Sequence, residues 1–446
     1  MKPQRSIRRK EIMDTVPAPK PAPTVQDFFR IEGEFAGRGA PVVETDVARW
    51  ILTEGRALLR EAEFFDELCW RLVGQGVPLW RATLHIGTLH PEIRGFGCRW
   101  WRERRVTEEF VVAHGSDTSK DFLESPIRVT VQHGTPVRRR LDQGPTGFPL
   151  LEKLRAQGAT DYAAAALNPM YHRSFYVANQ YSETKHQRYP VVTWTTDRPG
   201  GFGEDHIALL EAIRPALASV VESRAMRRVA KNLIQIYLGR EVGQRIFYGQ
   251  ILRGQSERMR AVVMASDLRS FTRLSDRLPS ETVIRLLDDY FEQVAAPVHR
   301  VGGEILKFVG DGVLAIFPTG DDGEAEATRK GLSVAREIMA RLDTYNAACH
   351  RNGPAQIRAG IGLHLGDLMY GNVGAPDRLD FTAIGPAVNL ACRLESLTKR
   401  FDRPILASRA FAAACPMPLV SLGFQPVRGL VEPQELFGLP DHRSDV

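Results

Sequence analysis

Between Thr45 and Gly74, Val47, Trp50, Ile51, Leu58, Leu59, Phe64, Phe65, Leu68 and Leu72 recur at helical intervals, with Asp46 at a cap position. The period then shortens. Alternation from Trp80 to His90, and strand-like runs at Phe110 to Ala113, Ile127 to Val131, Phe175 to Ala178 and Val191 to Thr196, predict an antiparallel sheet. After Asp205 the helical spacing returns at Leu209, Leu210, Ile213, Leu217, Val220 and Val221 and predicts a closing helix. A further stripe, Val229, Leu233, Ile236, Tyr237, Val242, Ile246 and Leu252, predicts a continuous helix followed by a short stop within 226–257, weakened by Gly239 and Gly249. Such a stripe must be covered, either by a second copy in a parallel helical pair or by its own domain.

The second half changes character. At Ala261 an apolar run begins that stops at Asp267, the pattern of a buried strand ending in a carboxylate. Val283, Leu286, Leu287 and Phe291 then predict a helix from Ser280, with that serine as its cap. Ile305–Val309 and Val313–Phe317 read as two strands joined by Gly310, Asp311 and Gly312, residue types a tight hairpin prefers. With the first strand beside this hairpin, Asp267 and Asp311 emerge at one sheet edge. Two carboxylates with little else suit Mg²⁺, whose other positions are filled by waters and phosphate oxygens. Asn389 and Arg393 are four apart and share a helix face.

A length of 446 residues predicts two domains and a connector. Hydrophobic residues make up 43% and charged residues 25%, and no run approaches the roughly 18 apolar residues of a membrane span. The net charge of +6 is scattered, with clusters at Lys2 to Lys10, Arg102 to Arg105 and Arg138 to Arg140. That predicts a solvated basic surface and no nucleic-acid partner. The five cysteines form no C-x-x-C pair, and no secretory pattern follows the basic N-terminus, so reduced thiols and a cytoplasmic location are expected. Pro17, Pro19, Pro21 and Pro23 in an Ala/Pro/Lys run make residues 1–44 a flexible tail.

Four segments, "DLRSFT" from Asp267, "KFVGD" from Lys307, "RAGIGLHLGDLMYGNVG" from Arg358 and "DFTAIGPAVNLACRLE" from Asp380, together resemble the class III nucleotidyl cyclase family in order and spacing. The resemblance covers about 258–440 and implies an α+β, ferredoxin-like or palm-type catalytic domain over 258–446. It implies that Asp267 and Asp311, with the carbonyl of Leu268, hold two Mg²⁺ or Mn²⁺ ions. It implies that Ser270, Phe271, Thr272 and Arg358 meet the triphosphate, that Lys307 and Thr382 read the base, and that Asn389 and Arg393 orient ribose and stabilise charge at the α-phosphate. Lysine is a pure donor and the Thr hydroxyl can accept from the N6 amine, which points to ATP; guanylyl cyclases of the family typically carry Glu and Cys there. One departure is Gln434, where some relatives have a phosphate-binding lysine, leaving Arg428 or no residue for that role. The family arrangement further implies a homodimer with shared sites.

Residues 45–225, through a leading helix, antiparallel strands and "VVTWTTDRPGGFGEDHIALLEAIRPALASVVE", resemble a GAF-type α/β sensor domain. The expected partner of this domain is a small-molecule or protein signal. Trp80, His85, His90, Trp100 and Trp101 are candidate pocket residues there, with core or surface positions as the alternative. Residues 226–257 form the helical linker.

Overall fold

The computed structural model describes residues 29–167, 190–349 and 356–440. The chain divides into two compact units, Met1–Leu233 and Ile234–Val446. No described helix is long and apolar enough to cross a membrane.

In the first unit, strands β1 (Phe29–Ala36), β2 (Arg81–Gly87), β3 (Ile93–Trp101), β4 (Val106–Ala113), β5 (Val137–Arg140), β6 (Asp161–Ala166) and β7 (Val191–Thr196) form one sheet ordered β1-β4-β3-β2-β7-β6-β5. Every pairing is antiparallel. Helices α1 (Val47–Leu52), α2 (Glu61–Gly74) and α5 (Glu204–Leu238) supply Trp50, Phe65, Leu68, Ile213 and Leu217 to the large core, with Leu84, Trp100 and Trp194 of the sheet. Asp46 caps α1 by accepting the Arg49 N–H at 2.9 Å. The opposite face is covered by α3 (Pro126–His133) and α4 (Pro149–Ala156) through Val137, Leu151, Leu154 and Tyr162.

Four expectations are corrected. The 1–44 tail contains β1, because the edge of β4 supplies a hydrogen-bonding partner that composition does not reveal. Ile127–Val131 is helix: Ser125 caps it by accepting the Arg128 N–H, Pro126 opens it and left-handed Gly134 closes it. The helix predicted over 226–257 is the end of α5, which already runs from Glu204, followed by a break at Gly239 (φ 90°) and α6 (Arg240–Phe247). Its stripe is only partly covered: Val229 and Val242 are buried, whereas Tyr237 is 81% exposed. Ser280 is the first residue of its helix, with Pro279 at the cap and no side-chain cap bond. The runs at 1–28 and Phe175–Ala178 lie outside the described residues.

The second unit is α+β. Its strands are β8 (Ser256–Leu268), β9 (Glu304–Val309), β10 (Gly312–Pro318), β11 (Ala359–Ala375), β12 (Arg378–Ile384), β13 (Ile405–Ser408), β14 (Val420–Gln425) and β15 (Gln434–Gly438). Their order is β14-β15-β13-β11-β8-β10-β9, with β12 paired to β11. Along β8, Val262 and Met264 pack with Leu286, Tyr290 and Val294 of α8 (Ser280–Arg300) and Ile338 of α9 (Gly323–Cys349). Ala261, Val263 and Ala265 pack on the other face with Ala387 and Ala391 of α10 (Pro386–Phe401) and Val242 of α6. A strand covered on both faces reads as a continuous apolar run, as 261–265 does. Two glycines let α10 lie close on β11. A Cβ on Gly362 would stand 2.2 Å from the Ala391 carbonyl oxygen, and one on Gly360 2.2 Å from Thr398 Oγ1.

Candidate active site

The register places the acidic pair. β8 and β10 are antiparallel, with Asp267 opposite Gly312, so the hairpin residue Asp311 arrives beside the end of β8. Gly310 adopts φ 62°, the left-handed conformation that closes this hairpin at little steric cost. Gly312 stands opposite Asp267 in the ladder, and a Cβ there would come 3.3 Å from Asp267 Oδ1, a tight contact. Half-burial first, and the Asp311 carboxylate second, push the Asp267 carboxyl up to about 6. Behind the pair, Ser266 Oγ and Tyr290 OH share a buried 2.7 Å hydrogen bond that ties the strand end to α8.

The chemistry of this pair fits divalent cations of the Mg²⁺ type. Two adjacent carboxylates that repel one another gain most from a shared positive charge. Among the described residues no group of three or more His, Cys, Asp or Glu side chains gathers into a closed metal cage. An open pair leaves positions for water and phosphate.

Because the folded chain holds the Asp267 proton more tightly than an ordinary carboxyl, the associated stability is present at low pH and is lost as pH rises through about 6. Asp267→Asn is therefore expected to raise the melting temperature of the metal-free protein at pH 7.5 by roughly 2–4 °C, the size of a ~1 kcal/mol change in a domain this large. The gain should disappear below pH 4. Thermal unfolding in a chelator checks this, and an unchanged or lower value at pH 7.5 would exclude repulsion between the two aspartates.

Other predicted residues fall near the same edge. Leu268 pairs with Ala359, and the Arg358 carbonyl accepts the Arg269 N–H at 2.7 Å, leaving the Arg358 side chain exposed beside β8. Ser270 takes a left-handed conformation (φ 65°) and opens the short helix α7 (Phe271–Ser275), so the amides of Phe271 and Thr272 lie in a first turn without intrahelical acceptors. The Arg269 guanidinium donates to the carbonyls of Thr398 and Arg403 at 3.1 and 3.0 Å and fastens this loop to the end of α10.

The remaining residues sit on other elements. Lys307 of β9 donates to Asp380 of β12 at 3.0 Å. Thr382 is buried, and its Oγ1 has no hydrogen-bond partner among the described residues. Asn389 is exposed on α10, and Arg393, one turn later, lies against the 427–430 turn, where a Cβ on Gly429 would stand 2.9 Å from its Nη2. Among the described residues no hydrogen bond or ion pair joins Asp267 or Asp311 to Lys307, Thr382, Asn389 or Arg393. Gln434 is tied to local backbone through the Glu432 carbonyl at 3.1 Å.

Three neighbours were not foreseen. Glu395 is buried behind Asp267 with Oε1 unpartnered, and burial, then Asp267, raise it to about 7. Lys399, one turn further along α10, is the cation that opposes the rise at Asp267. Asp380 is the ion-pair partner of Lys307. Glu395 and Asp380 both lie within the quoted "DFTAIGPAVNLACRLE", and the i, i+4 spacing of Glu395 and Lys399 was the available signal.

Residues 255–403 match the family described as the adenylate and guanylate cyclase catalytic domain. Adenylate cyclase 1 of Rhizobium meliloti is 36% identical over 161 residues, covering 35% of this chain and 24% of that relative. Residues 255–403 carry this cyclase catalytic domain. An adenylate cyclase of Anabaena cylindrica is 30% identical over 166 residues, covering 36% of this chain and 32% of that protein. The chain thus spans about a quarter to a third of the length of these curated relatives. Among solved structures, the adenylyl cyclase CyaB from P. aeruginosa is 28% identical with a TM-score of 0.39, covering 43% of this chain and 99% of that one. The guanylyl cyclase Cya2 is 25% identical with a TM-score of 0.37, covering 43% and 98%. The description of the matched family itself names both nucleotides, adenylate and guanylate.

Proposed function

We propose that this chain is an adenylyl cyclase that converts ATP to 3′,5′-cyclic AMP and pyrophosphate. The observation that carries the proposal is the placement of Asp267 and Asp311 side by side at one sheet edge. Cyclisation asks a 3′-hydroxyl to attack the α-phosphorus of the same nucleotide while pyrophosphate leaves. It needs positioning and charge neutralisation rather than a covalent nucleophile. In this reading Asp267, Asp311 and the Leu268 carbonyl hold two Mg²⁺ or Mn²⁺ ions, which would supply hydroxyl activation and neutralise the triphosphate. The first-turn amides at Ser270–Thr272 and the exposed Arg358 orient phosphate oxygens. Asn389 positions the ribose and Arg393 stabilises charge at the α-phosphate.

Adenine preference is supported by Lys307 as a donor for N1 and by the orphaned Thr382 hydroxyl as an acceptor for the N6 amine. The acidic set and the Lys307, Thr382, Asn389 and Arg393 set have no hydrogen bond or ion pair between them within one described chain. That supports a head-to-tail homodimer in which each site takes one set from each copy. The N-terminal unit, with its leading helix, antiparallel sheet and closing helix, is proposed to act as a GAF-like regulatory domain. It is proposed to work through the helical segment 226–257 on the cyclase domain over 258–446, in the cytoplasm.

The deciding experiment is product formation by the full chain with ATP or GTP, each with Mg²⁺ or Mn²⁺. Cyclic AMP from ATP is expected. Cyclic GMP as the main product would reassign the base, and no product under any condition would leave a nucleotide-binding module.

A further inference from the structure

The face of the N-terminal sheet opposite α5 is polar across its centre. In register, Trp101 of β3, Arg81 of β2, Thr195 of β7 and Tyr162 of β6 stand in one row. The next row holds Glu108, Arg99, Thr83 and Thr193, and the third Phe110, Gly97 and His85. Arg81 is 8% exposed, and its guanidinium makes no hydrogen bond or ion pair among the described residues. The ring of Trp101, 5.1 Å from it, offers a cation–π contact. Thr195 Oγ1 and Trp101 Nε1 are also enclosed without hydrogen-bond partners among the described residues.

Charge balance makes this row unusual. Glu108, the acidic side chain of the second row, already accepts from Arg99 at 3.0 Å and from Arg104 at 3.2 Å, so it does not neutralise Arg81. A buried charge without a counter-charge is among the costliest arrangements a fold can hold. The excess positive charge is felt nearby: burial, then Arg81 and Arg99, lower His85 to about 3 and keep its ring neutral. His85 stays partly open to solvent and marks the accessible end of the face.

We propose that this face binds a small organic monocarboxylate, with its carboxylate on Arg81 and Thr195 and its apolar part against Trp101. One unpaired guanidinium is balanced by one negative charge, and its planar fork matches a carboxylate. A phosphate dianion would leave a buried negative excess. Trp80, edge-to-face with Trp101 at 5.2 Å, and Phe110, 5.2 Å from the His85 ring, make walls for a flat apolar body. The site gives the regulatory role proposed above a ligand class. It is tested by binding, so that it and the cyclase assignment can fail separately.

The test uses the full chain, with thermal unfolding and calorimetric titration against sodium benzoate, sodium acetate and inorganic phosphate, with sodium chloride at matched ionic strength. Benzoate is expected to raise the melting temperature saturably and to bind more tightly than acetate, with phosphate no better than chloride. Arg81→Met should fold, melt higher than wild type without ligand, and lose the benzoate response. Thr195→Val should keep the response at about tenfold weaker affinity, the cost of one hydrogen bond to a charged group. The proposal is overturned if neither carboxylate gives a saturable shift, if Arg81→Met or Thr195→Val responds as wild type does, or if phosphate binds more tightly than both.

Discussion

Asp311→Ala and Arg393→Ala, each made in a separate full-length chain, are expected to be nearly silent alone and to recover activity when mixed. The first removes a carboxylate from the acidic pair; the second removes the guanidinium assigned to the α-phosphate. Each loss should cost at least about 10³-fold in turnover, the effect of roughly 4 kcal/mol of transition-state stabilisation. If sites are shared, a heterodimer carries one site with both defects and one with neither. Random re-pairing of equal amounts puts half of the dimers in that state, so about a quarter of the wild-type sites are restored. The measurement is cyclic AMP formation after co-refolding or co-expression. Activity no higher than either parent would mean that each chain builds its own site. The structure already separates the two changes: Asp311 sits in the hairpin facing Asp267, whereas Arg393 lies one helical turn from Asn389 against the 427–430 turn.

Reversing the hydrogen-bond polarity at the base is the second large effect. Lys307→Glu with Thr382→Cys should lower use of ATP by about 10²-fold or more, since adenine N1 would then meet an acceptor and lose its donor. The geometry adds a condition that the two positions alone do not suggest. Lys307 is bound to Asp380 at 3.0 Å, so a glutamate at 307 would face a carboxylate across β9 and β12. The double variant is therefore expected to be poor with both nucleotides, and adding Asp380→Asn should raise turnover of GTP selectively. The check is the ratio of kcat/KM for GTP and ATP across the double and triple variants. An unchanged ratio in the triple variant would remove Lys307 and Thr382 from base reading.

Legibility differed between the two halves of the chain. In the C-terminal unit the hairpin, the strand ending at Asp267 and the helix carrying Asn389 and Arg393 were readable because each depends on local pattern: period, glycine placement and i, i+4 spacing. Glu395 was visible only as part of a helix face. Its burial behind Asp267 depends on Gly360 and Gly362 admitting α10 close to β11, a relation between segments that no local pattern encodes. In the N-terminal unit β1 was hidden by the proline-rich composition around it, and its strand state comes from a partner far along the chain. Ile127–Val131 alternates like a strand, yet Ser125, Pro126 and Gly134 set helix boundaries that outweigh the alternation.

The sequence by itself determined which chemistry is available: paired carboxylates behind glycine turns, a lysine that only donates and a threonine whose hydroxyl can accept, and an asparagine and arginine on one helix face. Local conformational preference and side-chain type carry that information within a few residues. Tertiary structure decided which of these groups meet and at what electrostatic cost. Asp267 is raised because packing half-buries it and strand register brings Asp311 beside it, Lys307 is tethered because β12 reaches β9, and Arg81 is left without a hydrogen bond or ion pair among the described residues because sheet order surrounds it with Trp101, Thr195 and Thr83. Those energies depend on distance and burial, which arise only when segments far apart in the chain are packed together.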